Sequence, residues 1–377
     1  MNILLIGECY SENLGDAVIC QTVKKMIENE YSDADITLFD ISGRINYQEY
    51  YNNKDYSILG KCFIKITEKL PIILKKSSFY NLYKNNERRY LRTILLLENI
   101  LKEHQIDIAI FAGGAMFMDY FAGLIYYTVR KLSIKKIPVL FHSCGMGYLS
   151  EDGVKLLRKT FAHNYVKNVS IRDSMDRFLQ LFGDITTPTE TYDTAICCNK
   201  FFNRNSEKVA EYGIGVISLP QHYKIQKDII THFKKSNISF KVFTNGADEN
   251  TAISLLKDVG YIDNDIHSML MKRPITPEEL VYNITGFEKI VSFRMHSLIV
   301  ATSFGIEVRG FVWDDKVRTY LTKLGYPEWC CDTDGYNDFE YLQWNYNKTK
   351  CLQQKILELS KICEKDLSEE IKNVLTR

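Results

Sequence analysis

The sequence has no long apolar run, almost no net charge and no cysteine motif of the kind that binds metal. No stretch approaches the roughly 18 uncharged apolar residues that a membrane-spanning helix requires. Lysine plus arginine number 48 and aspartate plus glutamate 47, which gives a net charge of +1. That balance argues against a nucleic-acid-binding protein held by bulk electrostatics, although it leaves room for a local basic site.

Ten cysteines are present, but neither a CxxC pair nor a Cys/His cluster with zinc spacing occurs. We therefore predict that the protein has no metal site. The chain opens directly into the apolar residues 3–7, without the charged region and cleavage site of a signal peptide. A secreted, disulfide-stapled protein is therefore not expected, and we predict a cytoplasmic one.

Short apolar segments alternate with amphipathic helical patterns along the chain. Residues 3–7, 36–40 and 107–111 read as buried strands, and the pattern restarts after the polar stretch 199–210. This alternation predicts an α/β fold in which parallel sheets carry helices on both faces. We expect two Rossmann-like domains that face a cleft, with ligands at the carboxyl ends of the strands.

The polar stretch sets the predicted domain boundaries. An N-terminal Rossmann-like domain covers residues 1–200, a C-terminal one covers 208–345, and 346–377 form a helical tail that can pack across the junction. Residues 42–86 are rich in Tyr, Asn and Lys and have no clear period. We expect loops and helices there that cover the first sheet.

The loop after the first strand, residues 7–16, opens a predicted helix. Backbone amides at a helix start suit an anion, although this loop matches neither the dinucleotide nor the Walker fingerprint. Asn13, Gly15 and Asp16 are the candidate ligand-contacting residues of this loop. Asp16 either caps the helix or positions a substrate hydroxyl, and the sequence leaves both interpretations open.

Two further glycine-bearing turns follow predicted strands. Gly113 and Gly114 allow the backbone to approach a ligand closely, or else they form a tight strand-to-helix turn that ends near Asp119. Residues 143–147 repeat the pattern after the next strand. We expect these turns to line the floor of an open cleft.

Arginine follows a predicted strand at two places. Arg172 either binds a ligand at the sheet edge or forms a surface ion pair with Asp173 that is worth little. Arg294 and His296 lie between an apolar strand and an apolar helix. The guanidinium offers a planar fork for a carboxylate or phosphate, and the imidazole can exchange a proton near neutral pH. The alternative for His296 is a helix cap or a core side chain.

Lys316 stands at another predicted helix start, within the block Trp-Asp-Asp-Lys-Val at residues 313–317. A second cation near Arg294 would help to hold a multiply charged ligand. The alternative is an ordinary solvated residue of a first helical turn.

Taken in this order, these segments resemble the polysaccharide pyruvyl transferase family. The likeness rests on residues 13–16, Gly113-Gly114 and Arg172-Asp173, and above all on residues 294–301, Arg-Met-His-Ser-Leu-Ile-Val-Ala. The block at 313–317 extends it downstream. The segments that carry the resemblance are residues 2–30, 107–193 and 276–326.

The resemblance implies a GT-B-like fold and a transferase that moves the pyruvyl group of phosphoenolpyruvate onto hydroxyls of a cell-surface polysaccharide sugar, forming a ketal. It implies that His296 and Asp16 are catalytic and that Arg294, Arg172 and Lys316 bind the donor. The C-terminal domain would then be the donor side and the N-terminal domain the acceptor side. The residues implied to contact the acceptor or line the cleft are Asn13, Gly15, Gly113, Gly114 and Asp119.

The partners implied are phosphoenolpyruvate, as a co-substrate, and a glycan or lipid-linked saccharide acceptor. No cofactor, no metal and no nucleic acid are expected. Any contact with the membrane would be peripheral, on its inner face.

Two other functions fit the same sequence. A GT-B glycosyltransferase would use a nucleotide sugar, and should show an acidic ribose-binding signature that the second domain does not offer at a suitable place. A non-catalytic carbohydrate-binding or assembly protein would keep the fold alone. The joint presence of Arg294, His296 and Lys316 argues against that second alternative.

Overall fold

The computed structural model describes residues 1–47, 78–333 and 349–376. The covering segment predicted at 42–86 therefore lies largely outside the described residues. The chain divides into two compact units, each of which is built around its own sheet. The first unit contains Met1–Ser11, Val23–Thr191 and Lys365–Arg377, and the second contains Glu12–Thr22 and Tyr192–Glu364.

A parallel sheet forms the centre of the first unit. Its strand order is β2-β1-β3-β5-β6-β7, and β4 pairs with β5. Every pairing in it is parallel, which requires a crossover connection between neighbours and explains the alternating sequence pattern. The strands are β1 (Asn2–Gly7), β2 (Asp35–Asp40), β3 (Ile108–Phe111), β4 (Gly114–Phe117), β5 (Val139–Met146), β6 (Val166–Ile171) and β7 (Thr189–Glu190).

Apolar side chains on both faces of this sheet bury against its helices. Phe111 and Phe141 on adjacent strands stack with ring centroids 4.3 Å apart, and Phe117 packs beside them. The strands read as continuous apolar runs because both faces are covered. The helices are α2 (Ser78–Glu103), α3 (Asp119–Ile134), α4 (Glu151–Phe161) and α5 (Met175–Phe182).

Two of the predicted turns in this unit are strand residues instead. Gly114 begins β4, so the Gly113-Gly114 pair leads from one strand into another short strand and not into a helix. Both glycines have positive φ, +87° and +80°, which only glycine adopts readily. The turn predicted at 143–147 was also wrong, because β5 continues through Met146. β4 is only four residues long and opens with glycine, and the His-Ser-Cys-Gly stretch interrupts the apolar run of β5, so both segments carry the signals of a turn.

The second unit repeats the plan with the strand order β12-β11-β10-β8-β9, again all parallel. Phe293 and Phe311 stack in its core with ring centroids 4.4 Å apart. The strands are β8 (Ala210–Gly215), β9 (Phe240–Phe243), β10 (Phe287–Ser292), β11 (Glu307–Val312) and β12 (Cys330–Asp332). The helices within this unit are α6 (Tyr223–Lys235), α7 (Glu249–Asp258), α8 (Asp263–Met269), α9 (Pro277–Thr285), α10 (Met295–Ser303) and α11 (Asp315–Leu324).

Helix starts in the second unit follow local sequence rules. The Thr276 hydroxyl accepts a hydrogen bond from the amide of Glu279 at 3.2 Å, with Pro277 in the first turn. Asp314 caps α11 in the same way through the amide of Lys316. The Asp314 cap fixes where the chain leaves β11 and turns into α11, and the Thr276 cap fixes the start of α9.

The carboxyl ends of the central strands lie in register. Ser292, the last residue of β10, pairs with Gly215 on one side and Gly310 on the other. The segments that follow β8, β9, β10 and β11 therefore emerge at one edge of the sheet. That edge carries the residues of the candidate site.

Two long helices, α1 (Leu14–Glu30) and α12 (Thr349–Leu375), begin in the second unit and end in the first. The architecture is thus α/β with parallel sheets in two Rossmann-like units, as the sequence predicts. Among the described residues, none of the helices combines the length and apolar character needed to cross a membrane.

Candidate active site

His296 is the second residue of α10 and lies at the carboxyl edge of the second unit's sheet. Its side chain is only 9% exposed. Nδ1 lies 3.9 Å from Oδ1 of Asp16, and Nε2 lies 4.0 Å from Oδ2 of Asp193. These distances exceed a hydrogen bond but are within ion-pair range. The imidazole therefore stands between two carboxylates, which attract the positive charge it carries when both nitrogens hold protons.

The start of α1 presses against the imidazole. A Cβ at Gly15 would lie 2.4 Å from Cβ of His296 and 2.6 Å from its Nδ1. Real side-chain carbons do not approach so closely, so glycine at this position lets the helix start reach the ring. Gly15 thus lies against His296, and its predicted role toward an acceptor or as part of a cleft stays a prediction.

Asp16 lies in the first turn of α1 and not at the position that precedes the helix. Its Oδ2 accepts a hydrogen bond from Nδ2 of Asn13 at 2.9 Å, while its Oδ1 is the atom nearer His296. Asn13 thus orients the carboxylate. The interpretation of Asp16 as the helix cap does not fit this geometry.

Asp193 is a functional candidate that the sequence did not reveal. Its Oδ1 caps the 3₁₀ helix Thr194–Lys200 by accepting a hydrogen bond from the amide of Ala195 at 2.9 Å, and its Oδ2 is the atom nearer His296. The only local signal is that of an ordinary cap, Asp followed by Thr. Asp193 is buried, and its charge also raises the pKa of the Tyr320 phenol, although burial is the larger cause.

Arg294 precedes α10 and is held by a buried carboxylate. Its Nε and Nη2 donate to Asp248, with distances of 3.0 Å to Oδ2 and 2.7 Å to Oδ1. Asp248 is 2% exposed and also accepts from the amide of Ser218 at 2.9 Å. The Nε and Nη2 groups of Arg294 are therefore used by the internal ion pair with Asp248. Its Nη1 group donates to no atom of the residues that the structure describes, and remains for a ligand.

The loop after β9 ties these elements together. The carbonyl of Asn245 accepts from the amide of Leu14 at 3.0 Å, and Gly246 bridges to Asn13. Gly246 has φ +124°, and a Cβ there would meet the carbonyl oxygen of Glu12 at 2.4 Å. The side chain of Asn245 reaches α10, where its Oδ1 accepts from the hydroxyl of Ser297 at 2.7 Å. One loop thus fixes the starts of both α1 and α10.

Lys316 lies at the start of α11, which follows β11, the strand next to β10. Its side chain is half-buried, and its ammonium forms no ion pair with any residue in the described ranges. The predicted cation is therefore present at the same sheet edge as Arg294.

Arg172 belongs to the first unit and is buried. Its Nε donates to Oδ2 of Asp173 at 3.2 Å, and Oδ1 of Asp173 accepts from the amide of Met146 at 3.0 Å. With side chains only 3% and 7% exposed, the two residues do not form a surface ion pair, so that interpretation was wrong. Ser174, the residue before α5, makes no side-chain cap bond to that helix.

Gly113, Gly114 and Asp119 also lie in the first unit. Both glycines are buried, and Asp119 begins α3. Its Oδ1 accepts from the amide of Ser150 at 2.8 Å, which joins the start of α3 to the start of α4. A Cβ at Gly153 would fall 2.0 Å from that oxygen, so the two helix starts are tightly packed. For Asp119 the structure therefore shows a structural contact, and its predicted role toward an acceptor stays a prediction.

The second unit thus brings together a buried imidazole, two carboxylates, an oriented guanidinium and a lysine at one sheet edge. Such a set can bind a small anion and move protons beside it. Fold and site define a protein of the GT-B-like class with two Rossmann-like units. The sequence matches the model of the family named polysaccharide pyruvyl transferase over residues 13–315. The chain belongs to that family.

Solved structures show the same fold at low sequence identity. A putative UDP-N-acetylglucosamine 2-epimerase from Listeria monocytogenes is 10% identical, with a TM-score of 0.56 over 98% of this chain and 95% of that one. The UDP-GlcNAc 2-epimerase of Methanocaldococcus jannaschii is 12% identical, with a TM-score of 0.53 over 96% and 92%. The N-terminal domain of Candida albicans trehalose-6-phosphate phosphatase is 9% identical, with a TM-score of 0.53 over 99% and 96%. No curated protein matches the sequence.

Proposed function

We propose that this protein transfers the pyruvyl group of phosphoenolpyruvate to two hydroxyls of a cell-surface polysaccharide sugar and forms a pyruvate ketal. The observation that carries the proposal is the His296 imidazole held between Asp16 and Asp193, with Arg294 directly before its helix. Membership of the polysaccharide pyruvyl transferase family supports the same reaction class.

Phosphoenolpyruvate carries a carboxylate and a phosphate, so it needs cations in fixed positions. The Nη1 group of Arg294 and the ammonium of Lys316 are suited to this, because neither is used by an internal ion pair among the described residues. Asp248 keeps the rest of the Arg294 guanidinium in place, which lowers the entropy lost when the donor binds. Arg172 remains a proposed donor contact.

The reaction requires proton transfer at carbon and at oxygen. In our proposal His296 gives a proton to the methylene carbon of phosphoenolpyruvate, which leaves an oxocarbenium-like centre next to the carboxylate. A sugar hydroxyl attacks that centre and releases its proton to the imidazole. The C–O bond to phosphate then breaks, and phosphate leaves with the bonding electrons. Its departure leaves a second oxocarbenium-like centre, to which a second hydroxyl adds, and that hydroxyl passes its proton to the released phosphate as the ketal closes.

Asp16 and Asp193 serve this cycle by stabilising the protonated ring. General acid–base assistance of this kind is worth about a hundredfold to ten-thousandfold in rate. Asp16 also positions the attacking hydroxyl, with Asn13 holding its carboxylate in the required orientation. The residues proposed to contact the acceptor are Gly113, Gly114 and Asp119. We propose that the enzyme is cytoplasmic and that its acceptor is a glycan or a lipid-linked saccharide.

The test is release of inorganic phosphate from phosphoenolpyruvate, measured against a panel of glycan and lipid-linked acceptors. We expect acceptor-dependent release by the wild type, and its loss in His296→Ala with phosphoenolpyruvate affinity retained. Arg294→Ala should raise the apparent KM for phosphoenolpyruvate. Full turnover by His296→Ala would remove the imidazole from the mechanism.

A thermal-shift comparison separates this reaction from a nucleotide-sugar glycosyltransferase. Specific ligands raise the melting temperature by mass action, so phosphoenolpyruvate should stabilise the protein and nucleotide sugars should not. The reverse pattern would favour the glycosyltransferase. No shift with either ligand, together with no phosphate release, would favour a non-catalytic carbohydrate-binding protein.

A further inference from the structure

Asn245 carries a buried hydrogen-bond donor that the protein does not use within its described residues. The residue follows β9 and is 1% exposed. Its Oδ1 accepts from the Ser297 hydroxyl at 2.7 Å, but its Nδ2 donates to no atom of the residues that the structure describes. Leaving a buried N–H without an acceptor costs free energy, and such groups are rare in folded proteins.

The unused donor lies at the first turn of α10. Ser297 is the third residue of that nine-residue helix, and the two polar atoms of a carboxamide are about 2.2 Å apart by their bond lengths. Nδ2 therefore lies within about 5 Å of the Ser297 hydroxyl. The helix start itself has no side-chain cap, since Arg294 makes none. Its first N–H groups have no acceptor within the helix and lie at the positive end of the helix dipole.

Asn245 is held rigidly. Its carbonyl oxygen accepts from the amide of Leu14, and its side-chain oxygen accepts from Ser297. The donor cannot rotate toward solvent without breaking the second bond. It is thus a fixed N–H beside an uncapped helix start, in the unit that also carries Arg294 and Lys316.

We infer that Asn245 is a donor-binding residue whose Nδ2 takes an oxygen of a phosphate monoester seated on the start of α10. A phosphate offers three acceptor oxygens, which suits the N–H groups at a helix start, and the Nη1 group of Arg294, which Asp248 does not use, is then left for the carboxylate of the same molecule. The inference rests on the proposed function for the identity of the monoester as phosphoenolpyruvate.

The decisive variant is Asn245→Asp. It keeps the shape and the oxygen that accepts from Ser297, and it replaces the N–H group by a negative oxygen. An acidic side chain at a helix start is favourable, so we expect the melting temperature to stay the same or rise. The Kd of inorganic phosphate, measured by titration calorimetry, and the KM of phosphoenolpyruvate should both rise tenfold or more.

Asn283→Asp is the matched control. Asn283 lies in the same unit and is 8% exposed, but its Nδ2 already donates to the carbonyl of Lys272 at 2.9 Å. This variant loses an internal bond, so its melting temperature should fall while the Kd of phosphate stays unchanged. Asn245→Ala removes the donor without adding charge, and should raise the Kd of phosphate severalfold. This variant keeps the inference testable if the aspartate variant fails to fold.

Unchanged phosphate affinity in both Asn245 variants would overturn the inference, as would a wild type that does not bind inorganic phosphate. A wild type that binds phosphate through Asn245 but releases none from phosphoenolpyruvate would keep the phosphate subsite and refute the proposed reaction. The two proposals therefore fail by different observations.

Discussion

Gly15→Ala should separate activity from stability. The added Cβ would lie 2.4 Å from Cβ of His296, whereas carbon atoms in contact are normally about 3.5 Å apart. The imidazole or the helix start must therefore move by about 1 Å, and a misplacement of that size at a reacting group can cost about a hundredfold in rate. We expect kcat for phosphate release to fall by that factor.

The same change should cost far less in folding than in rate. Crowding of a buried site typically costs about 1–3 kcal/mol, and because Gly15 lies within α1 and is not among the glycines with positive φ, alanine regains up to about 1 kcal/mol of helix propensity that partly offsets it. Gly325→Ala is the control: Gly325 has φ +93°, and a Cβ added there would meet no atom within 4 Å. It should lose about 1 kcal/mol of stability through backbone strain and keep wild-type kcat. Wild-type kcat in Gly15→Ala would refute the argument that the glycine admits the imidazole.

Three further substitutions probe the charges. Asp193→Asn keeps the cap to Ala195 but removes a charge 4.0 Å from His296, so kcat should fall by up to about a hundredfold with unchanged KM for phosphoenolpyruvate; an unchanged kcat would exclude an electrostatic role. Asp248→Asn loosens Arg294 and should raise that KM by about tenfold with a smaller change in kcat, as steady-state kinetics would show. Burial raises the pKa of the Asp366 carboxyl, and neighbouring carboxylates raise it further to a smaller extent. The folded state therefore holds this proton more tightly than the unfolded state does. As pH rises from the ordinary pKa to the raised one, the carboxyl increasingly destabilises the fold. Asp366→Asn should thus increase the free energy of unfolding at neutral pH, by less than about 1 kcal/mol because the group is half exposed, and leave it unchanged at pH 3, where the denaturation curves of the two proteins should coincide.

The residues that the sequence revealed are those with a local signal. Arg294 and His296 stand where an apolar strand gives way to an apolar helix, and Lys316 follows an aspartate that caps its helix. A pattern of strands and helices is enough to place them at one sheet edge. The alternation also predicts both parallel sheets, since apolar runs and helical periods are properties of short segments.

The partners of these residues carry no comparable signal. Asp248 meets Arg294 across 46 residues of sequence, and Asn245 meets Ser297 across 52. Asp193 reads locally as the cap of a short helix, which it also is. Such contacts depend on how strands order themselves in the sheet, and neither spacing nor periodicity encodes that order.

The path of α1 limits how this protein can be recombined with its relatives. Residues 12–22 belong to the second unit although they come first in the chain, and they supply both the close approach of Gly15 and the carboxylate of Asp16. A chimera that exchanged only Tyr192–Glu364 would therefore join an imidazole from one parent to a helix start from the other. Grafts that keep activity should carry Glu12–Thr22 along with the rest of the unit.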